Sequence, residues 1–480
     1  FNYDVNKQIL ATGGGAILLK GTAITNNHGI FFSDIDILAT SGKITLDGGI
    51  KGFVTGGSDP YAIIGSKTGD SNIASSTSDI EIIGDVLGFD ATTKFNTTGS
   101  LELKPFSDSF VNTFATNGFD ISNNLSGLTL GKPTNTANVT INSATNIAGP
   151  IKAFGGTIAV NEELMATSNT ISLSASSAVT QSAALTANNL ELSGSGSFTL
   201  TNTSNNVTTI AGGTSASKLG LLNYVNSNAL TIGEITNTGI VSNGKIKVET
   251  LTGDLTLSRN ITTDNTETDA IVLNAGKSAA INTATGGDII ISGTPTVTTG
   301  ANGVARLFSG SESNSPGLTA LAGGPENVRT GFDETSGVIP GLDTGETYAI
   351  YRKIDEAFPY WLGTTDTNWN TASNWNTESV PTSTSRIAVT NGLTNYPVIT
   401  DVAATGNSLD VSDQASIIIS KNGSLTLANN LNNAGAVTLE SDSDEFSSLL
   451  VSGTSLGDIT YNRYVNMVGT DEWDLIGAPL

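Results

Sequence analysis

Short segments in which an apolar, a polar and a second apolar residue follow one another recur along most of the chain. In an extended strand, successive side chains point to opposite faces, so each segment puts two aliphatic side chains on one face and a polar one on the other. Apolar residues at the helical spacing i, i+3, i+4 and i+7 are almost never sustained. The pattern predicts an all-β protein with very short strands at residues 16–19, 43–46, 80–83, 100–103, 127–130, 139–141, 170–173, 189–192, 197–200, 230–232, 245–248, 254–257 and 288–291.

The gaps between these segments are rich in Gly, Asn, Ser and Thr. Sandwich folds have similar gaps, but their strands usually contain about five or six residues. Strands of about three residues better fit a right-handed parallel β-helix, in which rungs of ~20–25 residues stack at ~4.8 Å. Asn and Thr are then expected at the corners, where they form ladders from one rung to the next.

The distribution of proline suggests where this pattern changes, because eight of the 12 prolines lie from Pro295 onward. The predicted parts are a parallel β-helix (1–308), a turn-rich rod end and linker (309–358), a smaller Trp-rich β module with short solenoid-like repeats (359–460) and the truncated start of a further β module (461–480). Since the chain begins at Phe1 without a signal peptide, and its last residues resemble the middle of a strand, we expect it to be a fragment of a longer protein.

Charge and cysteine content exclude several kinds of function. The 44 acidic and 21 basic residues give a net charge of −23, which disfavours nucleic acids and anionic membranes as partners. With no Cys, the chain has neither disulfides nor thiolate sites. No run of eighteen apolar residues occurs, so no membrane-spanning helix is expected.

Three of the four tryptophans, Trp361, Trp369 and Trp375, fall in one short segment of otherwise small polar residues. One interpretation is that the indole rings form the compact core of a small β module that is short of aliphatic side chains. The other is that they form an aromatic platform for sugar rings, which makes them candidate glycan-binding residues. Both interpretations stay open at this point.

Candidate catalytic residues are few. His28 is the only histidine and lies in a turn sequence, so it cannot form a triad or a His-based metal site. Asp34 and Asp36 would share one face of a strand, whereas the adjacent Glu162 and Glu163 would face opposite sides. No Arg or Lys accompanies Asp34 and Asp36 in their segment, so we assign no catalytic residue and do not expect an enzyme.

Asp442, Asp444 and Glu445 form the one sequence that suits a calcium ion, since closely spaced carboxylates are ligands for a hard cation. The run lacks the Gly and the distal Glu of an EF-hand loop, and a solvated loop is the alternative. No other metal and no cofactor is predicted.

The repeated segments resemble those of filamentous-haemagglutinin-type adhesins. The resemblance is carried by residues 185–192, 206–211, 229–233, 250–257, 270–276 and 286–293. The Trp-rich segment from Trp361 to Ile399 is similar to one found in giant surface proteins of the Bacteroidetes, especially flavobacteria. Residues 461–465 and 473–479 resemble the start of the module that follows it in those proteins.

The resemblance implies a fragment of a large adhesin, secreted by a type IX system and attached to the outer membrane of the bacterial cell surface. Such a stalk would attach cells to a surface polysaccharide or an abiotic surface, including in gliding motility, and other regions of the protein would contact the secretion or anchoring machinery. Two alternatives stay open: a β-helix lyase or glycosidase that degrades polysaccharides, and a glycan-binding module without catalysis.

Overall fold

A computed structural model shows a protein built almost entirely from parallel β-strands. It describes residues 7–21, 29–30, 35–51, 53–54, 62–65, 77–89, 93–117, 119–324, 327–336, 339, 342–354 and 358–465. By their internal contacts the residues form two compact units. The first contains residues 1–265, 270–273 and 291–298, and the second contains 266–269, 274–290 and 299–480.

The strands before residue 300 are mostly short, as the alternating pattern predicts, but three consecutive strands between residues 151 and 193 contain 10, 18 and 9 residues. They are Lys7–Ala11 (β1), Ile17–Lys20 (β2), Ile35–Ala39 (β3), Ile44–Asp47 (β4), Phe53–Val54 (β5), Ala62–Gly65 (β6), Ile80–Ile83 (β7), Leu87–Gly88 (β8), Thr93–Asn96 (β9), Ser100–Lys104 (β10), Phe114–Ala115 (β11), Phe119–Ile121 (β12), Gly127–Leu130 (β13), Val139–Ile141 (β14), Thr145–Ile147 (β15), Ile151–Val160 (β16), Leu164–Gln181 (β17), Leu185–Ser193 (β18), Ser197–Leu200 (β19), Asn206–Gly212 (β20), Leu221–Asn226 (β21), Leu230–Ile232 (β22), Ile240–Ser242 (β23), Ile246–Thr250 (β24), Leu255–Leu257 (β25), Ile261–Thr263 (β26), Ile271–Asn274 (β27), Ile289–Ile291 (β28) and Val297–Thr298 (β29).

The strands after residue 300 are all short, with two to five residues each. They are Ala305–Ser309 (β30), Val328–Thr330 (β31), Thr347–Tyr351 (β32), Arg386–Val389 (β33), Val398–Ile399 (β34), Ala403–Gly406 (β35), Ser408–Val411 (β36), Ser416–Ile419 (β37), Ser424–Leu427 (β38), Leu431–Asn433 (β39), Ala436–Glu440 (β40), Ser448–Val451 (β41), Ser455–Leu456 (β42) and Ile459–Asn462 (β43). The described helices are a single α-helical turn at Leu318–Leu321 (α1) and 3-10 turns at Gly49–Lys51 and Ala372–Asn374.

Parallel pairing in the first unit stacks one rung on the next. Ile151 pairs with Ile171, Ile171 with Leu190 and Leu190 with Ile210, at intervals of 19 or 20 residues. These four side chains are completely buried. A rung of this size cannot cover its own inner face, so the neighbouring rungs bury it, with a gain of about 1.5–3 kcal/mol per aliphatic side chain. The predicted parallel β-solenoid is confirmed; its handedness stays a prediction.

The polar position of each alternating segment faces outward. Lys152, Ser172 and Glu191 are paired in successive rungs one residue after the buried column, and all three reach solvent at least in part. The side-chain period of two therefore separates the aliphatic inner face from a polar outer face, as the sequence pattern requires.

Buried asparagines connect consecutive rungs at a corner, as expected. The side-chain Oδ1 of Asn205 accepts a hydrogen bond from the backbone N of Leu185 at 2.9 Å, and its Nδ2 donates to the backbone O of Val225 at 3.0 Å. Asn226 repeats the arrangement, because it accepts from the backbone N of Val207 at 2.9 Å and donates to the backbone O of Val207 at 3.0 Å. Each amide replaces backbone hydrogen bonds that the turning chain cannot make.

The segment expected to be a rod end and linker contains paired strands. β32 lies between two parallel partners, since it pairs with β30 over Ala305–Ser309 and with β31 over Val328–Thr330. The strand that is later in the chain therefore occupies the inner position, and β31 forms the outer edge.

The smaller module is itself a parallel β-solenoid with three ladders. The first contains β33, β36, β39 and β42, the second β34, β37, β40 and β43, and the third β35, β38 and β41. In the first ladder Ile387, Leu409 and Leu431 pair in succession at intervals of 22 residues, and all three are buried. The repeats that follow the Trp-rich segment in sequence are thus its rungs.

Candidate functional site

The Trp-rich segment forms the first rung of the second solenoid. Tyr360 makes a parallel bridge to Ala388, and Asn368 makes one to Val398, so the segment continues two of the three ladders by one position. Asp366 shapes the loop between them, since its carboxylate accepts hydrogen bonds from the side chain of Asn374 at 2.7 Å and from the backbone N of Asn368 at 2.8 Å.

The three indole rings of this rung are completely buried. Trp375 makes edge-to-face contacts with both others, at centroid distances of 4.9 Å to Trp361 and 4.7 Å to Trp369. The indole N–H of Trp361 donates to the backbone O of Asn395 at 2.7 Å. None of the rings has a free face on which a sugar could stack, so this geometry supports the compact core rather than the glycan platform.

The acidic candidates do not come together. His28 and Asp34 lie outside the described residues. Asp36 is buried in β3, whereas Glu162 and Glu163 are exposed in the loop between β16 and β17. The described acids among these candidates therefore form no carboxylate pair.

A lysine occupies the place that a cation would take beside the calcium candidates. Lys421 Nζ lies 2.6 Å from Asp442 Oδ2 and 3.9 Å from Glu445 Oε2. The bond from Lys421, with those from the backbone N–H groups of Asp444 and Glu445, lowers the pKa of Asp442 to about 2. In the part of the chain that the structure describes, no three His, Cys, Asp or Glu side chains are grouped to hold a metal ion.

A cleft of about 460 Å³ lies within the second unit, and no sequence motif marks it. One wall comes from β31, β32 and the chain around them, with Arg329, Asp343, Glu346 and Tyr348. The other wall is the outer face of the second solenoid around Asp410 and Asn432. Its volume falls within the range of about 300–1,000 Å³ that is usual for ligand sites.

Arg329 is the basic residue that lines the cleft. Its side chain is only 6% exposed, its guanidinium carbon lies 5.0 Å from the centroid of the Tyr348 ring, and its Nη1 donates to the backbone O of Val328 at 2.8 Å. Burial lowers the pKa of Arg329, while Tyr348, Asp410 and Asp343 oppose the change. Burial also raises the pKa of Tyr348 to about 12, so the ring stays neutral beneath the cation.

Two carboxylates on the same wall lie close enough to repel each other. Burial, followed by repulsion from Asp413 and Glu346, raises the pKa of Asp343 above its ordinary value, and Arg329 opposes this effect. The backbone N of Asp343 donates to the hydroxyl of Tyr348 at 2.7 Å, which fixes the loop. The carboxylate of Glu346 is held by the side-chain amide of Asn327, whose Nδ2 donates to it at 3.2 Å.

The opposite wall contributes a third carboxylate, which, like that of Glu346, accepts a hydrogen bond from a side-chain amide. Asp410 and Asn432 are paired on the outward face of β36 and β39, and Asn432 Nδ2 donates to Asp410 Oδ1 at 2.8 Å. The cleft thus combines three carboxylates, amide groups and a buried guanidinium. Shifted pKa values in a cleft are a common mark of binding sites.

Comparisons with known proteins give a limited answer. The fold defines the chain as a β-solenoid protein. A family model described as a domain of unknown function, DUF8693, matches residues 360–480, which begin at the Trp-rich rung. No curated protein and no solved structure matches the chain. None of the helices in the described part is long and apolar enough to cross a membrane.

Proposed function

We propose that this chain is a stalk segment of a large secreted adhesin on the bacterial cell surface, used for attachment to surfaces or glycans and in gliding motility. The observation that carries the proposal is the parallel register, in which side chains of one type stand above each other through successive rungs. Such a stack forms a scaffold, because its core is filled mostly with aliphatic side chains.

The polar surface supports the same role. Charged residues make up only 14% of the chain, so Ser, Thr and Asn supply most of the polar groups that face water. The net charge of −23 keeps neighbouring stalks apart by repulsion. Asn205 and Asn226 connect rungs through buried amides, which resists separation of the rungs under load.

The proposed partners are a surface polysaccharide or an abiotic surface. Contacts with the outer-membrane secretion or anchoring machinery are assigned to other regions of the protein. The proposal gives the chain no catalytic activity, and release of reducing sugars from polysaccharides by the purified chain would contradict it.

An attachment assay tests the proposal. Cells that produce the whole protein should attach under flow, and cells without it should detach. Deleting residues 164–204 removes two complete rungs and keeps the register, because Asn205 then takes the place of Leu164, so we expect the shortened protein to fold and to support weaker attachment. Deleting 164–195 cuts through a rung and serves as the matched control that should not fold. Equal attachment with and without the protein would overturn the proposed role.

A further inference from the structure

We propose that a pocket at the carboxyl ends of β30, β31 and β32 binds a neutral hexose unit of a glycan, with the hydroxyl of Thr330 as the anchoring contact. The choice of a glycan as ligand rests on the proposed function, whereas the unused hydroxyl and the balance of charge are properties of the pocket itself. The inference names the place at which this chain holds a sugar.

This strand-end pocket lies within the second unit and has a volume of about 460 Å³. It is lined by residues 311–313, which follow β30, by Thr330 at the end of β31, and by Tyr351, Lys353 and Ile354 at the end of β32 and just beyond it. The volume is within the range of about 300–1,000 Å³ that is usual for ligand sites. The ends of three parallel strands therefore bring polar side chains to one place.

Three hydroxyl side chains form a row across the ends of these strands. Ser309 pairs with Tyr351, and Tyr351 pairs with Thr330, so the parallel register places all three side chains on the same face of the sheet. The hydroxyl of Ser309 is 2.6 Å from that of Ser315, and the hydroxyl of Tyr351 is 2.9 Å from that of Thr319. Two members of the row are thus satisfied within the protein.

Thr330 is the third member of the row, and it differs from the other two. Its side chain is only 1% exposed, yet its hydroxyl has no hydrogen-bond partner among the described residues. A buried hydroxyl without a partner is costly, so its place beside a pocket points to a bond supplied by a bound molecule. The register directs it to the face where Tyr351 contacts Thr319, which donates to the pocket residue Glu312 at 2.7 Å.

The other polar groups of the lining favour a neutral ligand with several hydroxyls. Glu312 and Lys353 contribute one negative and one positive charge. The hydroxyls of Ser311 and Ser313 are 3.1 Å apart, and since only one of them donates to the other, the second keeps its proton for an outside acceptor. Lys353 donates to Asn282 Oδ1 at 3.3 Å, which uses one of its three protons. Sugar hydroxyls both donate and accept, so they match this mixture of groups.

Binding in the strand-end pocket depends on hydrogen bonds rather than on stacking. Tyr351 is the aromatic residue of the lining and is only 1% exposed, so its ring offers no open face to a sugar. The carboxylate of Glu312 accepts from Thr319 and lies 3.6 Å from Arg386 Nη2, which holds it in place. A carboxylate has about four acceptor positions, so it still accepts a bond from a sugar hydroxyl.

The first test is a saturation-transfer NMR titration of the 480-residue chain with the methyl glycosides of glucose, galactose and mannose. Galactose and mannose each differ from glucose in the orientation of one hydroxyl, so the set covers axial and equatorial arrangements at two positions. We expect at least one sugar to bind, and its fully O-methylated form to bind at least about tenfold more weakly, because methylation removes every donor. Equal binding of the methylated form would overturn the inference.

The second test is T330V, which removes the hydroxyl and keeps the shape of the side chain. Since that hydroxyl has no partner in the protein, the variant should be as thermally stable as the parent or more so, and bind the sugar about three- to tenfold more weakly. The matched control T405V makes the same change at a half-buried position of β35 outside the pocket, and its affinity should stay within about twofold. Should T330V unfold, E312Q takes its place with the same expected loss.

Equal affinity of T330V and the parent would overturn the inference, because the hydroxyl would then make no contact with the sugar. Attachment of cells that depends on the whole protein, with no binding of any of the three sugars, would overturn the inference and leave the proposed function standing. Sugar binding by the purified chain, with equal attachment of cells that have and that lack the protein, would overturn only the proposed function.

Discussion

The interior rungs of the first unit and the first rung of the second solenoid solve different packing problems. The rung that contains Ile171 has a paired neighbour on each side, at Ile151 and Leu190, and aliphatic side chains fill its interior. The Trp-rich rung is bridged to β33 and β34 at Ala388 and Val398, and its interior holds three indole rings. An end rung must cover the core with its own side chains, and large rings do this best.

The comparison explains why the rung that contains Ile171 has an aliphatic interior, whereas three tryptophans are concentrated in the first rung of the second solenoid. An aliphatic column gains burial from both neighbours, so a small side chain at each position is enough. At the first rung, fewer and larger side chains cover the same area. Three of the four tryptophans of the chain are used for this purpose.

The largest effect is expected from Trp375→Ala, because Trp375 contacts both other indoles and is completely buried. The loss of the ring should cost about 3–5 kcal/mol of unfolding free energy. Denaturant titration followed by the fluorescence of the remaining tryptophans measures it, since the first unit contains no Trp. Trp375→Phe is the matched control and should lose less. A cost below that of an interior aliphatic residue would contradict the capping role.

Ile171→Ala tests the interior rungs. The substitution leaves a cavity between Ile151 and Leu190, and we expect it to cost about 2–4 kcal/mol. Hydrogen exchange of the β16, β17 and β18 amides localises the loss. Ser172→Ala changes the outward neighbour and should stay within about 0.5 kcal/mol. Similar costs for Ile171→Ala and Ser172→Ala would show that the aliphatic column does not hold the stack.

Asn226→Ala tests the polar connection between rungs. The substitution leaves the backbone N and O of Val207 without their side-chain partners, so about 1–3 kcal/mol should be lost. The exposed Asn228→Ala is the control, with an expected change within about 0.5 kcal/mol. Thermal unfolding followed by far-UV circular dichroism compares the two. A smaller loss of stability for Asn226→Ala than for its control would show that the side-chain amide of Asn226 does not stabilise the stack of rungs.

The smallest effect is expected from Asp343→Asn, because this substitution changes one charge in the cleft and leaves the side chains of both packing regions unchanged. Arg329, Glu346, Asp410 and Asp413 are the charged groups around Asp343. Its pKa is raised by folding, so the folded state holds its proton more tightly, and stability falls as pH rises from the unfolded to the folded pKa. The variant should therefore gain a few tenths of a kcal/mol at pH 7 and match the parent below about pH 3.9. A loss of stability at pH 7 would contradict this expectation, because it would show that the charged carboxylate of Asp343 stabilises the folded state.

Much of the fold could be predicted from local sequence, because a period of two is visible within three or four residues. Segments such as 80–83, 127–130 and 197–200 are strands with the predicted bounds. The insertion of β32 between β30 and β31 could not be predicted, since it depends on pairing between segments with no shared pattern. The burial of Trp361 could be predicted only as one of two interpretations.

The cleft could not be predicted from the sequence either, because the residues that line it are far apart in the chain. Asp343 and Asp410 are 67 positions apart, and neither lies in a motif with characteristic spacing. They line the same cleft only because the end of one stack and the outer face of the second solenoid belong to one unit. A search that starts from clusters of acids in the sequence finds Asp442 and Glu445 instead, where Lys421 already neutralises the charge.

The order of β30, β32 and β31 has a consequence for how the chain reaches its final form. A solenoid can grow from its N-terminal side as the chain emerges, with each new strand joining the one made before it. At residues 328–330 the stepwise addition of strands stops, because the pairing partner of β31 is β32, and residues 347–351 are synthesised later. The stack there is completed out of chain order, so a protein interrupted between residues 330 and 347 would present the edge of β30 uncovered and ready to pair with another chain.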